Sequence, residues 1–120
     1  SFGTYKIEVR DMADLGEIGI GDNVDLQPYT YKLYPNFPNP FNPETRIRFD
    51  IPESKRVKVI IYDILGHHVR TLTNRDYDRG YHVLNWNGRN DAGAMVSSGV
   101  YICRIKAGEF IDHNKMTLVR

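Results

Sequence analysis

The stretch Leu33-Tyr34-Pro35-Asn36-Phe37-Pro38-Asn39-Pro40-Phe41-Asn42-Pro43-Glu44-Thr45 runs directly into Arg46-Ile47-Arg48-Phe49-Asp50-Ile51, and these two pieces decide the fold. The first holds four of the chain's six prolines, with three aromatic rings between them. Proline fixes φ and drives its predecessor to extended geometry, so this piece is neither helix nor central strand. Disordered proline tracts are poor in aromatics, and this one is rich. It reads as a rigid extended lead-in whose Tyr34, Phe37 and Phe41 rings pack onto the downstream domain, with Asn36, Asn39 and Asn42 closing local turns through their side chains. The second piece alternates. Ile47, Phe49 and Ile51 fall on one face, and Arg46, Arg48 and Asp50 on the other, which is a half-buried strand.

Downstream the same alternation recurs at short intervals. Pro52-Glu53-Ser54 is a turn, and Val57, Val59 and Ile61 form the next inward set. Gly66 closes a tight hairpin, after which Val69 and Leu72 break the period of two and predict a bulge. Arg75 to Gly80 reads as a polar connection. His82, Leu84 and Trp86 form another inward face, and Asn87 to Ser98 a long loop with a short strand at Ala94 to Val96. Tyr101, Cys103 and Ile105 point inward, Ala107-Gly108-Glu109 turns, and Phe110 to Val119 is the last strand. No segment sustains a period of 3.6. The prediction is all-β: an Ig-like antiparallel β-sandwich of about seven strands.

Upstream, residues 1–10 alternate as a strand, with Tyr5, Ile7 and Val9 on one phase and Phe2, Thr4, Lys6 and Glu8 on the other. Two placements are open: the end of a preceding domain, or an edge strand added to this one. Residues 11–32 begin Gly- and Asp-rich and read as linker, leaving 33–120 as the folded module. A chain of 120 residues is long enough to bury a core without disulfides or metal. With 16 basic and 15 acidic residues interspersed, it offers no nucleic-acid footprint. No run approaches the roughly 18 apolar residues that a spanning helix needs, so no membrane insertion is expected. Neither an initiator Met nor a leader pattern opens the chain, which reads as a piece of a longer protein.

Little here points to chemistry. The nucleophile candidates are Ser54, Ser97, Ser98 and the lone cysteine, Cys103, whose inward phase makes it a buried core thiol. His67 and His68 are adjacent in sequence and point to opposite faces, so they do not converge on one metal. His82 reads as a core or rim residue and His113 as solvated. The rival small site is calcium: Asn85, Asn87, Asn90 and Asp91 crowd one loop with oxygen donors, though only Asp91 is charged and turns demand the same residues. No cofactor is expected. Sugar binding would need exposed rings on one face, for which Tyr5, Tyr29, Tyr31, Tyr62, Tyr77 and Tyr81 are candidates, Tyr62 and Tyr81 on outward phases. Trp86, the only Trp, reads as a core anchor, and Gly66, Gly88, Gly93 and Gly99 as points of backbone freedom.

Five blocks carry a resemblance. Tyr34 to Pro43 resembles the Y-P-N-P-F-N-P opening of the C-terminal sorting domains of type IX secretion, and of the related Ig-like domain of the flagellar hook-capping protein family. Ile61-Tyr62-Asp63-Ile64-Leu65-Gly66 is similar to the family's I-Y-D-x-x-G. Trp86-Asn87-Gly88-Arg89-Asn90 is similar to W-D/N-G-x-D/N, Ser98-Gly99-Val100-Tyr101 to S-G-V-Y, and Lys115-Met116 to the terminal K-x block. Together they cover residues 33–120, with Cys103 standing where an aromatic is common. The resemblance implies an Ig-like fold and a non-catalytic C-terminal module of a secreted bacterial protein, bound for the cell surface or medium through the periplasm. It implies three partners: an outer-membrane translocon that reads the folded domain, a sortase-like processing enzyme, and the preceding domain of the same polypeptide. The family motif falls here on Pro38, Asn39, Pro40, Asn42, Pro43, Gly66, Gly88, Gly99, Tyr101 and Lys115. The alternatives are a structural scaffold module of the hook-capping kind and a carbohydrate-binding module.

Overall fold

A computed structural model describes residues 26–120, so the strand read at residues 1–10 and the linker up to residue 25 lie outside the described residues. Two antiparallel sheets face each other. One has the order β1-β2-β5, from β1 (Lys32–Leu33), β2 (Thr45–Ile51) and β5 (Gly80–Trp86). The other has the order β4-β3-β6-β7, from β4 (His68–Tyr77), β3 (Lys55–Asp63), β6 (Gly99–Ala107) and β7 (Phe110–Leu118). This is the predicted seven-stranded Ig-like sandwich.

The period-two residues of both sheets make the core, as alternation requires. Ile47, Phe49 and Ile51 meet Val57, Val59, Ile61, Cys103, Ile105 and Met116, all at most 1% exposed. Phe49 is wrapped by Tyr77 edge-on and by a stacked His82, each with centroids 5.3 Å away. Trp86, fully buried, lies between Phe41 at 5.6 Å and Tyr101 at 5.4 Å. The sequence placed Phe41, Phe49, His82, Trp86 and Tyr101 inward, and they are inward.

The proline-rich strap belongs to both sheets. Its first half pairs with β2, through Leu33 opposite Phe49 and a mutual pair of backbone bonds between Phe37 and Arg46. Its second half lies parallel to the end of β7: the Phe41 N–H donates to the Thr117 carbonyl, and the Val119 N–H to the Phe41 carbonyl. Between these, the Asn114 amide donates to the Tyr34 carbonyl at 2.9 Å. The strap thus closes one side of the sandwich. The peptide bonds preceding Pro38, Pro40 and Pro43 are cis.

The bulge expected at Val69 and Leu72 is present and double. Val59 faces Thr73 while Ile60 faces Thr71, leaving Leu72 as the extra residue; Ile61 faces Arg70 while Tyr62 faces His68, leaving Val69 extra. Gly66 closes the β3–β4 hairpin at φ +87°, a left-handed position that other residues resist.

Six local readings need correction. Phe37 does not pack: its backbone pairs with Arg46 while its ring is 73% exposed, and the neighbouring Asn36 is the one that turns inward. Asp50, read as solvent-facing, is buried because the Tyr34 hydroxyl covers it and donates to its carboxylate at 2.5 Å. The connection read at Arg75 to Gly80 is mostly strand. β4 runs on to Tyr77, with Arg56 and Asp76 paired across strands at 3.5 Å, and only Asp78 and Arg79 link it to β5. Tyr77, considered for a sugar-binding surface, is core. Ala94 to Val96 is no strand; only Met95 bridges, to Arg89. Asn39 closes no local turn but reaches β7, its Oδ1 accepting from the Thr117 N–H at 3.0 Å.

Candidate functional site

The register of the strands decides where the motif residues go. Thr45 faces Trp86, Asp63 faces Tyr101, Tyr62 faces His68 and Gly99 faces Leu118, so all these strand ends lie at one pole of the sandwich. The 38–44 part of the strap, the 64–67 turn, the 87–98 loop and residues 119–120 therefore cluster there. The turns at 52–54, 78–79 and 108–109 form the opposite pole, where the chain arrives. Tyr31 stacks on Phe110 at 5.1 Å and hydrogen-bonds Glu53, and Arg79 donates to the Pro28 carbonyl at 3.0 Å. Burial and the Glu53 carboxylate push the Tyr31 hydroxyl up to about 12.

The motif pole is stitched by backbone groups. Asn87 Oδ1 accepts from the Arg89 N–H, and Asn90 Oδ1 accepts from the N–H groups of Ala92 and Ala94. Trp86 Nε1 donates to the Arg89 carbonyl at 2.9 Å, and the Tyr101 hydroxyl donates to the Ser97 carbonyl at 2.7 Å. The loop is then tied to the bulged stretch of β4: the Asp91 N–H donates to the Val69 carbonyl, and Asp91 Oδ1 accepts from the Thr71 N–H at 3.0 Å. A bulge frees backbone groups from the ladder, and here the loop takes them.

Arg120 holds the pole together. Its guanidinium donates to the carbonyls of Gly88 and Val96, each at 2.7 Å, and its N–H donates to Ser98 Oγ at 2.9 Å. Gly88 sits at φ +72°, and a Cβ there would stand 2.9 Å from Arg120 Nη2 and 3.2 Å from the Pro43 carbonyl oxygen. Glycine is required on both counts.

The motif residues thus separate into two kinds. Gly88 and Tyr101 are buried and build the pole. Pro38, Asn39, Pro40, Asn42, Pro43 and Gly66 lie exposed on or beside it, with Gly99 half-buried at the start of β6. Pro38 also braces the strap, its carbonyl accepting from Thr45 Oγ1 at 2.8 Å and from the Asn36 amide at 3.2 Å. Lys115 stands apart: it is exposed on β7 opposite Ile102. Sequence reasoning missed Asn36, which is buried and bonded to Thr45, and Arg120, whose position at the chain's end carried no signal of a clamp.

Among the described residues, the cysteine and histidines considered for chemistry are engaged separately. Burial pushes the Cys103 thiol up to about 12, and the residue is 1% exposed. His68 meets Asp91 at 2.7 Å and Thr71 Oγ1 at 3.3 Å, but both contacts fall on the same nitrogen, Nε2, so no relay runs through the ring. His67 pairs with Asp63 instead. The backbone N–H of His67 is the main cause that holds the Asp63 carboxyl below its usual range, and that of Thr71 does the same for Asp91, each helped by a histidine. The loop oxygens considered for calcium, on Asn87, Asn90 and Asp91, already accept from backbone N–H groups.

The aromatic surface is likewise engaged. Arg48 lies over both Tyr34 at 4.3 Å and Tyr81 at 5.1 Å, Lys32 over Tyr34 at 4.6 Å, and Arg79 over Tyr29 at 5.3 Å. The hydrogen bond to Asp50 is the first cause that raises the Tyr34 hydroxyl above the ordinary tyrosine value. Tyr62 is half-buried.

A family model described as the FlgD Ig-like domain matches residues 39–109. No curated protein matches the chain. Among solved structures, dimeric latent PorU from Porphyromonas gingivalis aligns with a TM-score of 0.58 at 20% identity, over 83% of this chain and 10% of that one. PorZ, described as an essential bacterial surface component of the type-IX secretion system of Porphyromonas gingivalis, aligns with a TM-score of 0.48 at 22% identity, over 75% of this chain and 11% of that one. The chain spans about a tenth of either protein.

Proposed function

This chain belongs to the FlgD Ig-like domain family, and we propose that it is a non-catalytic module of a larger secreted bacterial protein, read as a sorting signal by type IX secretion machinery. One observation carries the reading: four of the five motif blocks, separated by up to tens of residues, meet at the pole opposite the one where the chain arrives, while Lys115 stands apart on β7. A cargo joined upstream leaves that pole free for a translocon to engage. The exposed residues Asn39, Pro40, Asn42 and Pro43 are its contact surface, while Gly88, Tyr101 and Arg120 keep it in shape. The part of the linker before residue 26 is the segment a sortase-like enzyme would cut, since Pro28, Tyr31 and Lys32 are engaged by the domain, and the processed cargo reaches the surface or medium by way of the periplasm.

A secretion assay tests this. A fluorescent cargo is fused to residues 1–120 in a type IX-competent bacterium, beside the variants Asn39→Ala, Pro40→Ala and Lys115→Glu. Deleting the last residues is a poor control, because Met116 and Leu118 are core. Export of the parent with retention of folded variants supports the signal. A folded parent that stays in the periplasm supports the second reading, a structural Ig-like module as in hook-capping proteins, which the family match equally favours.

A further inference from the structure

The outer face of the four-stranded sheet carries a run of cations that the motif pole does not use. Val57, Val59, Ile105 and Ala107 are core, so Arg56 and Lys58 on β3 and Arg104 and Lys106 on β6 point the other way. Register sets Lys58 directly opposite Lys106, with Asn74 of β4 on the other side of Lys58. Like charges face to face across a strand pair are destabilising. Yet among the described residues Lys58, Arg104, Lys106 and Lys115 meet no carboxylate. An open hollow of about 450 Å³ lies here, lined by Lys55, Arg56, Lys58, Asn74, Lys106 and Gly108. Its cations are held in place. Arg56 donates to Asn74 Oδ1 at 3.2 Å and to the Asn74 carbonyl at 3.1 Å. Gly108 sits at φ +62°, and a Cβ there would stand 3.0 Å from Lys55 Cε, so glycine lets the lysine stem lie on the β6–β7 turn. Asp76 pairs with Arg56 at 3.5 Å, and Glu53 and Glu109 line a separate hollow.

We propose that this face binds an acidic polysaccharide, a sugar polymer with regularly repeated anionic groups. The layout selects a linear polymer over a compact anion. From the hollow, Arg104 stands two residues along β6, and Lys115 of β7 faces Ile102, the next outward residue of β6. The cations thus continue diagonally across three strands, and Lys115, which stands apart from the motif pole, belongs to the run. The lining selects sugar over other polyanions. Single-stranded nucleic acid is held by aromatic platforms, and protein partners dock around apolar anchors. The residues lining the hollow include neither an aromatic nor an apolar side chain. They supply ammonium and guanidinium groups for fixed anions, and the Asn74 amide for sugar hydroxyls. The hollow lies at the start of β3 and the end of β6, toward the pole opposite the motif blocks, so the proposal does not rest on the sorting reading.

Titration of fluorescently labelled alginate, a polyuronate, with the chain of residues 1–120 in about 50 mM salt tests this. The parent should bind alginate and ignore neutral dextran, with affinity falling as salt rises. Lys58→Gln combined with Lys106→Gln should weaken binding about tenfold or more, while Lys58→Arg combined with Lys106→Arg keeps it. Both lysines are exposed, so the Gln pair should leave the urea midpoint equal or higher as the repulsion is removed. Lys32→Gln combined with Arg46→Gln removes the same charge from the other sheet and should leave binding nearly unchanged. No binding of alginate by the parent overturns the inference. So does an equal loss in the two Gln pairs, which would mean that net charge alone attracts the polymer. Tighter binding of a thymidine oligonucleotide or of polyglutamate also overturns it, by placing a nucleic acid or an acidic protein on this face.

Discussion

The guanidinium of Arg120 and the carbonyl of Gly88 stand 2.7 Å apart, and through this contact the end of β7 holds the loop that begins after Trp86. The same loop is fixed from below by Trp86 Nε1 and from the side by Asp91, so it is a built surface tied down at three points. Its stability and its proposed docking role rest on the same contacts.

Arg120→Ala should destabilise the domain by about 1–3 kcal/mol, because the carbonyls of Gly88 and Val96 lose a charged donor. Gly88→Ala should cost at least as much, through its left-handed φ and the 3.2 Å approach to the Pro43 carbonyl oxygen. Urea unfolding midpoints read both. A Gly88→Ala midpoint equal to that of the parent would contradict the assigned geometry.

Phe41→Ala should cost about 3–5 kcal/mol, the range for removing a buried aromatic. It empties the space beside Trp86 and unpins the strap from β7. Phe37→Ala, by contrast, should change stability by less than about 0.5 kcal/mol, since that ring is 73% exposed. The contrast between two phenylalanines of one motif separates folding from recognition, because Phe37→Ala is free to impair secretion without unfolding.

Acid should loosen the motif pole. The Asp63 and Asp91 carboxyls sit below their unfolded values, so each contributes stability that is complete above the unfolded pKa and is lost as pH falls through the folded one. Thermal midpoints recorded from about pH 5 down to about pH 2 should fall. Asp91→Asn should lower the midpoint near neutrality and flatten that slope. An unchanged slope would show that Asp91 is not the group involved.

Cys103 should resist thiol reagents in the native state and react on unfolding, since burial raises its thiol to about 12. Labelling with a chromogenic disulfide in buffer and in denaturant decides it. Rapid labelling of the folded domain would mean that β6 opens far more readily than its burial implies.

The sequence by itself determined the strands and their faces. Alternation is local, so Ile47, Phe49, Ile51, Val57, Val59, Ile61, Trp86 and Cys103 declared their burial without any partner being known. It determined that a bulge falls here too, because Val69 and Leu72 break the period within their own strand, though only the pairing with β3 made it two. Only the tertiary structure decided what depends on residues far apart in the chain. Asp50 is buried because Tyr34 reaches across to cover it, Phe37 is exposed because its backbone is claimed by Arg46, and Asn39 serves β7 instead of a turn. The motif pole is the same kind of fact. Each block announces a turn or a strand end locally, but strand register and the Arg120 clamp gather them at one place, and neither is written in any short stretch of sequence.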